Sequence, residues 1–322
     1  MKAVVIHEAG GPDVLKLESR PIPKPKAGWI LIKVKAFGLN RSELFTRQGH
    51  SPSVTFPRIL GIEAVGVVEA APGGEFQPGN RVATAMGGMG RAFDGGYAEY
   101  TLVPATQVQK LDTELDWPTL GALPEMIQTA WGSLHTALRI APGQTILIRG
   151  GTTSVGLAAA VLANKHGLKI IATTRKPERE AMLRENAAAD VVIDGGTIAD
   201  EILRRVPGGV DRVLELVGTA TLIDSMQCAA KQGVVCMTGM VGNRWEFEKF
   251  SPMGAIPTAV NLTTYAGGPE DFLSTPLQEF IDEIEQGRAK APIGRVFSID
   301  EIVEAHRTME ENLAGGKIVV TI

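Results

Sequence analysis

Thr145-Ile146-Leu147-Ile148-Arg149, then Gly150-Gly151-Thr152-Thr153-Ser154-Val155-Gly156, then Leu157 to His166, read as a strand, a Gly/Thr-rich turn and a helix. Such a turn brings backbone N–H groups and the positive end of a helix to one point, an arrangement that binds a dinucleotide pyrophosphate. Gly151 and Gly156 fit the first and third glycines of G-x-G-x-x-G, and Thr153 stands where the second belongs. The same text also describes an ordinary βα turn, and the strand after the helix weighs against that plainer reading. The expected backbone contacts are Gly151, Thr152, Thr153, Ser154 and Val155.

About twenty residues downstream, an NAD-preferring site carries an Asp or Glu for the ribose 2′-hydroxyl at the end of the next strand. Here Lys169 to Thr174 forms that strand, and it ends in Thr174-Arg175-Lys176 with Arg179 one helical turn on. A carboxylate would repel a 2′-phosphate, whereas a hydroxyl and two cations pair with it, so the expected cofactor is NADPH. The alternative is a solvated basic start to a helix, which would oppose the helix dipole.

The 322 residues are 44% hydrophobic and include 37 Gly and 19 Pro, enough for two domains with buried cores. A net charge of −4 without a long basic run argues against nucleic-acid or anionic-membrane partners. The early charges after Met1 and the lack of a long apolar run predict no signal peptide and no membrane span, hence a cytoplasmic protein with a small-molecule partner. Two cysteines, Cys228 and Cys236, leave neither a disulfide framework nor a four-cysteine zinc lobe.

Short strands and Gly/Pro turns fill the first 120 residues: Ala3 to His7, Trp29 to Phe37, Gly66 to Ala70, Arg81 to Ala85 and Tyr97 to Val103. From Pro124 onward strands alternate with helices: Thr145 to Arg149, Lys169 to Thr174, Val191 to Ile193, Val210 to Leu216, Val234 to Thr238 and Leu262 to Tyr265. The fold class is therefore α/β, a doubly wound parallel sheet beside an irregular β-rich domain. The expected boundaries are 1–120, 121–268 and a tail, 269–322, that returns to the first domain.

Several separated segments carry a family resemblance: Gly11-Pro12-Asp13-Val14-Leu15, Gly38-Leu39-Asn40-Arg41-Ser42-Glu43, Leu60-Gly61-Ile62-Glu63-Ala64-Val65-Gly66, Phe76-Gln77-Pro78-Gly79-Asn80-Arg81-Val82, Gly95-Gly96-Tyr97-Ala98-Glu99-Tyr100, Thr129-Ala130-Trp131 and Gly315-Gly316-Lys317. In their order and spacing the chain resembles the zinc-free quinone oxidoreductases of the medium-chain dehydrogenase/reductase superfamily over essentially its whole length. The resemblance implies a GroES-like domain for residues 1–120, a Rossmann domain for 121–268, and a homodimer paired through the strand Leu262 to Tyr265. Zinc-dependent relatives place Cys where Asn40 stands and His where Ile62 stands, with a further Cys or acid near Glu125. An amide and an aliphatic side chain do not replace thiolate and imidazole, so no catalytic zinc is expected.

Without a metal, the chemistry expected is hydride addition to an acceptor activated by conjugation, a quinone or an α,β-unsaturated carbonyl. The resemblance places Asn40 beside the nicotinamide, where its amide donates without titrating; otherwise it satisfies the turn after Trp29 to Phe37. Thr129 is the second catalytic candidate, as a nicotinamide-side hydroxyl or an ordinary helix residue. Val217, Thr238 and Gly239, at strand ends, are expected cofactor contacts. Asn312 and Lys317 resemble positions that close over the cofactor, and Lys317 reads equally as a solvated strand-start cation. The acceptor pocket is expected at Phe45, His50, Met89 and Phe93, with the Met/Gly loop as a mobile lid. Two other readings stand beside this one: a 2-enoyl-thioester reductase, needing Arg41, Arg47 or Arg91 at the mouth of its groove, and a non-enzymatic NADPH-binding sensor or structural protein.

Overall fold

Thr145–Arg149 is the strand on which one of two units of the chain is built. The computed structural model describes every residue from Met1 to Ile322, and divides it into Thr129–Ala266 and a second unit of Met1–Gln128 with Gly267–Ile322. In the Thr129–Ala266 unit six strands run parallel in the order Asp190–Ile193, Lys169–Thr174, Thr145–Arg149, Val210–Glu215, Ala229–Met237 and Asn261–Thr264. Counted along the chain this is the doubly wound order 3-2-1-4-5-6, whose crevice opens at the carboxyl ends where Thr145–Arg149 and Val210–Glu215 lie side by side.

Strands covered on both faces read as continuous apolar runs rather than as alternation. Ile146, Leu147, Ile148, Val213, Leu214 and Val235 accordingly have no exposed surface. The helix Ser154–Lys165 follows the glycine turn with Thr153 as its N-cap, and buries Gly156 to Ala160, where small side chains allow a close approach to the sheet. Ala229–Met237 starts five residues before the expected Val234, because Ala229 to Gly233 carry polar text that hides a strand from the apolar pattern.

The other unit is organised by the ten-residue strand Trp29–Gly38. It pairs antiparallel with Glu63–Ala70, Tyr100–Pro104 and Lys317–Thr321, inside a sheet that also holds Ile293–Ser298, Arg81–Ala85 and Val108–Lys110. A three-stranded sheet of Lys16–Ser19, Lys2–Ile6 and Arg58–Ile59 lies beside it in the chain's first sixty residues. The register of Val319 with Gly38 and of Ala36 with Val65 draws the starts of the strands at Lys317 and Glu63 to the end of Trp29–Gly38, immediately before Asn40. Gly38 makes room for this: a Cβ there would run into the Lys317 side chain and the Glu63 carboxylate. Glu63 begins its strand three residues before the expected Gly66, a buried acid that reads as a loop residue in sequence. No helix is long and apolar enough to cross a membrane.

Candidate functional site

In the Thr129–Ala266 unit the turn after Thr145–Arg149 is closed from within. Gly150 N–H donates to Thr173 Oγ1 (3.1 Å) and Gly151 N–H to Thr173 O (3.1 Å), while the Thr153 hydroxyl accepts from Gly156 N–H (3.0 Å) and donates to Gly150 O (2.9 Å). The backbone N–H groups of Thr152, Ser154 and Val155 remain at the helix start, where no intrahelical acceptor exists. A Cβ at Gly156 would lie 2.8 Å from both Gly150 O and Gly151 O, and one at Gly151 would crowd Ala172 and Thr173. A close-packed turn presenting free N–H groups at the end of a twelve-residue helix fits a pyrophosphate.

Thr174 is buried at the end of its strand, and its hydroxyl closes the next turn, accepting from Lys176 N–H (3.1 Å) and donating to Lys176 O (3.2 Å). Arg175 and Lys176 are both exposed, so their cationic heads stand in solvent beside that turn. At the other strand ends Val217 N–H and Gly218 N–H donate to Glu215 Oε1 (2.6 and 3.0 Å). Gly239 packs so closely on Leu216 that a Cβ would lie 2.6 Å from its carbonyl oxygen. Thr238 Oγ1 is shared with Ser133 Oγ (2.9 Å) and Cys236 Sγ (3.3 Å), and Thr129 is half-buried on the helix Pro124–Gly132.

Beneath these turns lies a buried network that no sequence pattern announces. Arg149 has no exposed surface and uses its whole guanidinium. Nε and Nη2 donate to Asp194 (2.8 and 3.0 Å), Nη2 also to Gly196 O (2.9 Å), and Nη1 to Asp224 (2.7 Å), Ser225 Oγ (3.1 Å) and Thr221 O (3.2 Å). Ser225 Oγ in turn donates to Glu215, as does Thr221 Oγ1 (3.1 Å). Burial works against the Arg149 charge, but Asp194, Glu215 and Asp224 outweigh it and hold its pKa above the ordinary value.

In the Met1–Gln128 and Gly267–Ile322 unit Asn40 stands just before the helix Arg41–Arg47, makes no side-chain capping bond to it, and sits in a buried polar cluster. Its Oδ1 accepts from Lys317 Nζ, and its Nδ2 donates to Glu63 Oε1 (2.9 Å) and, at 3.3 Å, to Glu43 Oε1. Lys317, 1% exposed, pairs with Glu63 (2.8 Å) and Glu125 (3.6 Å), so it is not the solvated cation that its position suggests. Burial opposes the Lys317 ammonium, yet Glu63 and Glu125 raise its pKa overall. Glu43 is driven the other way: burial pushes its carboxyl up to about 7, against the N–H of Ile62 that stabilises its anion.

This cluster does not fit a catalytic zinc. The oxygens of Asn40, Glu63 and Glu125 already hold an ammonium, Ile62 offers no donor, and no group of three or more His, Cys, Asp or Glu is placed to hold a metal ion.

The remaining candidates separate. Phe45 is buried on Arg41–Arg47 with its ring edge-on to exposed His50, centroids 6.4 Å apart. Met89 has no exposed surface, so in this conformation it is a core residue beside Gly96 rather than a pocket wall. Phe93 sets its ring edge-on to Trp29 (5.4 Å) and lines a cavity of ≈ 390 Å³ with Pro21, Ile22 and Tyr100, a space that Asn40, Phe45 and His50 do not border. Asn312 is exposed and accepts from Arg41 Nη2 (2.5 Å). Of the cations that the enoyl-thioester reading offers for a groove mouth, Arg47 is fully buried against Glu310, and Arg91 bonds Ser42 Oγ.

Comparison with known proteins agrees with this architecture. Residues 26–113 match the alcohol dehydrogenase GroES-like domain, and residues 187–320 match a family described as zinc-binding dehydrogenase. The quinone oxidoreductases of Pongo abelii and Homo sapiens are each 30% identical over 331 residues, covering 100% of this chain and 98% of theirs. Among solved structures, an NAD-dependent alcohol dehydrogenase and a mycobacterial protein complexed with NADPH each superpose with a TM-score of 0.89 at 25% identity, over 100% of both chains. With the doubly wound order, the glycine turn and the full-length matches in hand, the chain belongs to the quinone oxidoreductase-like group of the medium-chain dehydrogenase/reductase superfamily.

Proposed function

We propose that this oxidoreductase uses NADPH to reduce a quinone or an α,β-unsaturated carbonyl, in the manner of the EC 1.6.5 or 1.3.1 classes, without a catalytic zinc. The observation that carries the reading is Lys317: its ammonium takes up the oxygens of Asn40, Glu63 and Glu125, leaving no open set of donors for a Lewis acid that a simple ketone would need. An acceptor activated by conjugation needs no such polarisation. When bound, NADPH supplies the hydride.

The chain's own groups then bind and orient. Thr152, Ser154 and Val155 N–H groups receive the pyrophosphate, with Gly151 and Gly156 keeping the turn tight enough for that approach. Arg175 and Lys176 pair with the 2′-phosphate. Val217, Thr238 and Gly239 lie at strand ends where the nicotinamide half crosses the sheet, and Thr129 offers a hydroxyl on the same side. Asn40 donates to the acceptor oxygen on which charge develops; the N–H it gives up is the one held at 3.3 Å by Glu43, whose pKa near 7 makes that carboxyl a weak acceptor at neutral pH. Phe45 and His50 flank the acceptor, and solvent supplies the proton. The cytoplasm and a homodimer joined through Asn261–Thr264 complete the proposal.

The test is loss of reduced-nicotinamide absorbance with EDTA present, using NADPH and NADH in parallel against 9,10-phenanthrenequinone, 1,4-benzoquinone and a simple enone. EDTA-resistant turnover that prefers NADPH is expected. Loss of turnover on chelation would overturn the zinc-free mechanism, preference for NADH would overturn the role of Arg175 and Lys176, and tight NADPH binding without turnover would point to a sensor.

A further inference from the structure

The reading that the Thr129–Ala266 unit binds NADPH leaves one buried device without a task. Arg149 ends the central strand and touches no surface, yet it reaches the turn after Asp190–Ile193 through Asp194 and Gly196 O, and the turn and helix that follow Val210–Glu215 through Thr221 O and Ser225. Glu215 lies beyond Ser225 and fixes Val217 N–H and Gly218 N–H. In a 3-2-1-4-5-6 sheet the adenosine half of a dinucleotide lies over the first of these turns and the nicotinamide half over the second.

We infer that Arg149 and Glu215, joined through Ser225 and Thr221, are positioning residues that hold the two halves of the dinucleotide site at a fixed separation. Three features support this over a purely structural ion pair. Every donor of the guanidinium is used, so its orientation is fixed. Its acceptors lie in the turn after Asp190–Ile193 and in the turn and helix, Leu222–Gln227, after Val210–Glu215, on both sides of the switch point instead of one. The two N–H groups that Glu215 holds belong to Val217 and Gly218, the residues of the nicotinamide-side turn itself. A rigid separation matters only to a ligand that spans both halves, because a bridging ligand gains from the second contact in proportion to how well the first one places it.

The inference rests on the NADPH reading, and wild-type binding of NADPH tests that reading by itself. Dissociation constants for NADPH and for the fragment 2′,5′-ADP, which occupies the adenosine half alone, are then measured by fluorescence titration for Arg149→Met and Ser225→Ala, with thermal melting alongside. Ser225→Ala removes the hydroxyl bridge and leaves only the one through Thr221, without burying an unpaired charge, so it carries the test if Arg149→Met does not fold. The expected result is that the NADPH constant rises about tenfold in Arg149→Met and about threefold in Ser225→Ala, while the 2′,5′-ADP constant changes by less than half as much on a logarithmic scale. Equal shifts for both ligands, or no shift for NADPH in Ser225→Ala, would overturn the positioning role whatever happens to the melting temperature.

Discussion

Replacing Lys317 by Met removes a cation from between two carboxylates, Glu63 and Glu125, and the Asn40 amide, and keeps most of the side chain's length and apolar volume. Glu63, with no exposed surface, then loses its 2.8 Å partner, and Asn40 Oδ1 loses its donor. Removing one partner of a buried ion pair costs about 3–5 kcal/mol, chiefly the desolvation of the charge left behind. At about 2–4 °C per kcal/mol for a domain of this size, the melting transition of the Met1–Gln128 and Gly267–Ile322 unit should fall by about 6–20 °C at neutral pH. Adding Glu63→Gln should restore part of the loss, because a neutral amide needs no counter-charge. Differential scanning calorimetry of wild type, single and double variants decides it. A fall of less than about 2 °C, or a double variant no more stable than Lys317→Met, would refute the claim that this ammonium balances the cluster.

Glu43, raised from 4.5 to about 7, stabilises the folded chain fully below its unfolded pKa, and that contribution, up to about 3 kcal/mol, is lost as pH rises through about 7. Glu43→Gln should therefore flatten the decline in denaturation midpoint between about pH 5 and about pH 8; an unchanged slope would show that Glu43 is not the group responsible. Exchanging Arg175 and Lys176 together for Ala should weaken NADPH by about ten- to a hundredfold, the worth of one or two charge-assisted hydrogen bonds, and leave NADH within about twofold in a fluorescence titration. Gly156→Ala places a methyl 2.8 Å from two backbone carbonyl oxygens, and should cost about 1–3 kcal/mol in stability and raise the NADPH dissociation constant about tenfold by opening the turn; wild-type binding in that variant would show that the turn does not hold the pyrophosphate.

The doubly wound unit was the legible part of the chain. Ile146-Leu147-Ile148 and Val213-Leu214 are buried from both sides, and a strand in that position writes itself as an uninterrupted apolar run between glycine turns. Lys16–Ser19 and Arg58–Ile59 were not legible, because short half-solvated strands carry polar text and depend on pairing with Lys2–Ile6 for their existence. The polar clusters were the least visible. Lys317 meets Asn40 across 277 positions of chain and Arg149 meets Asp194 across 45, so no local spacing announces either contact. A lysine at the start of a strand and an arginine at the end of one look solvated until the sheet register closes over them. What the text did offer was Asn40 and Ile62, whose amide and aliphatic side chains stand beside Glu63 and mark the place where the cluster forms.

Gly38 bears on how such a site changes hands. Because it has no side chain, the arm of Lys317 passes over the strand end and delivers its charge among Asn40, Glu63 and Glu125. Introducing Cys at position 40 and His at position 62 would therefore not by itself build a metal centre, since the incoming ligands would face the Lys317 ammonium. A design that seeks a metal here has to replace Lys317 as well, and that step alone leaves Glu63 buried without a counterpart. The tethered cation thus acts as a lock on the site: its charge and the acids around it have to be changed together.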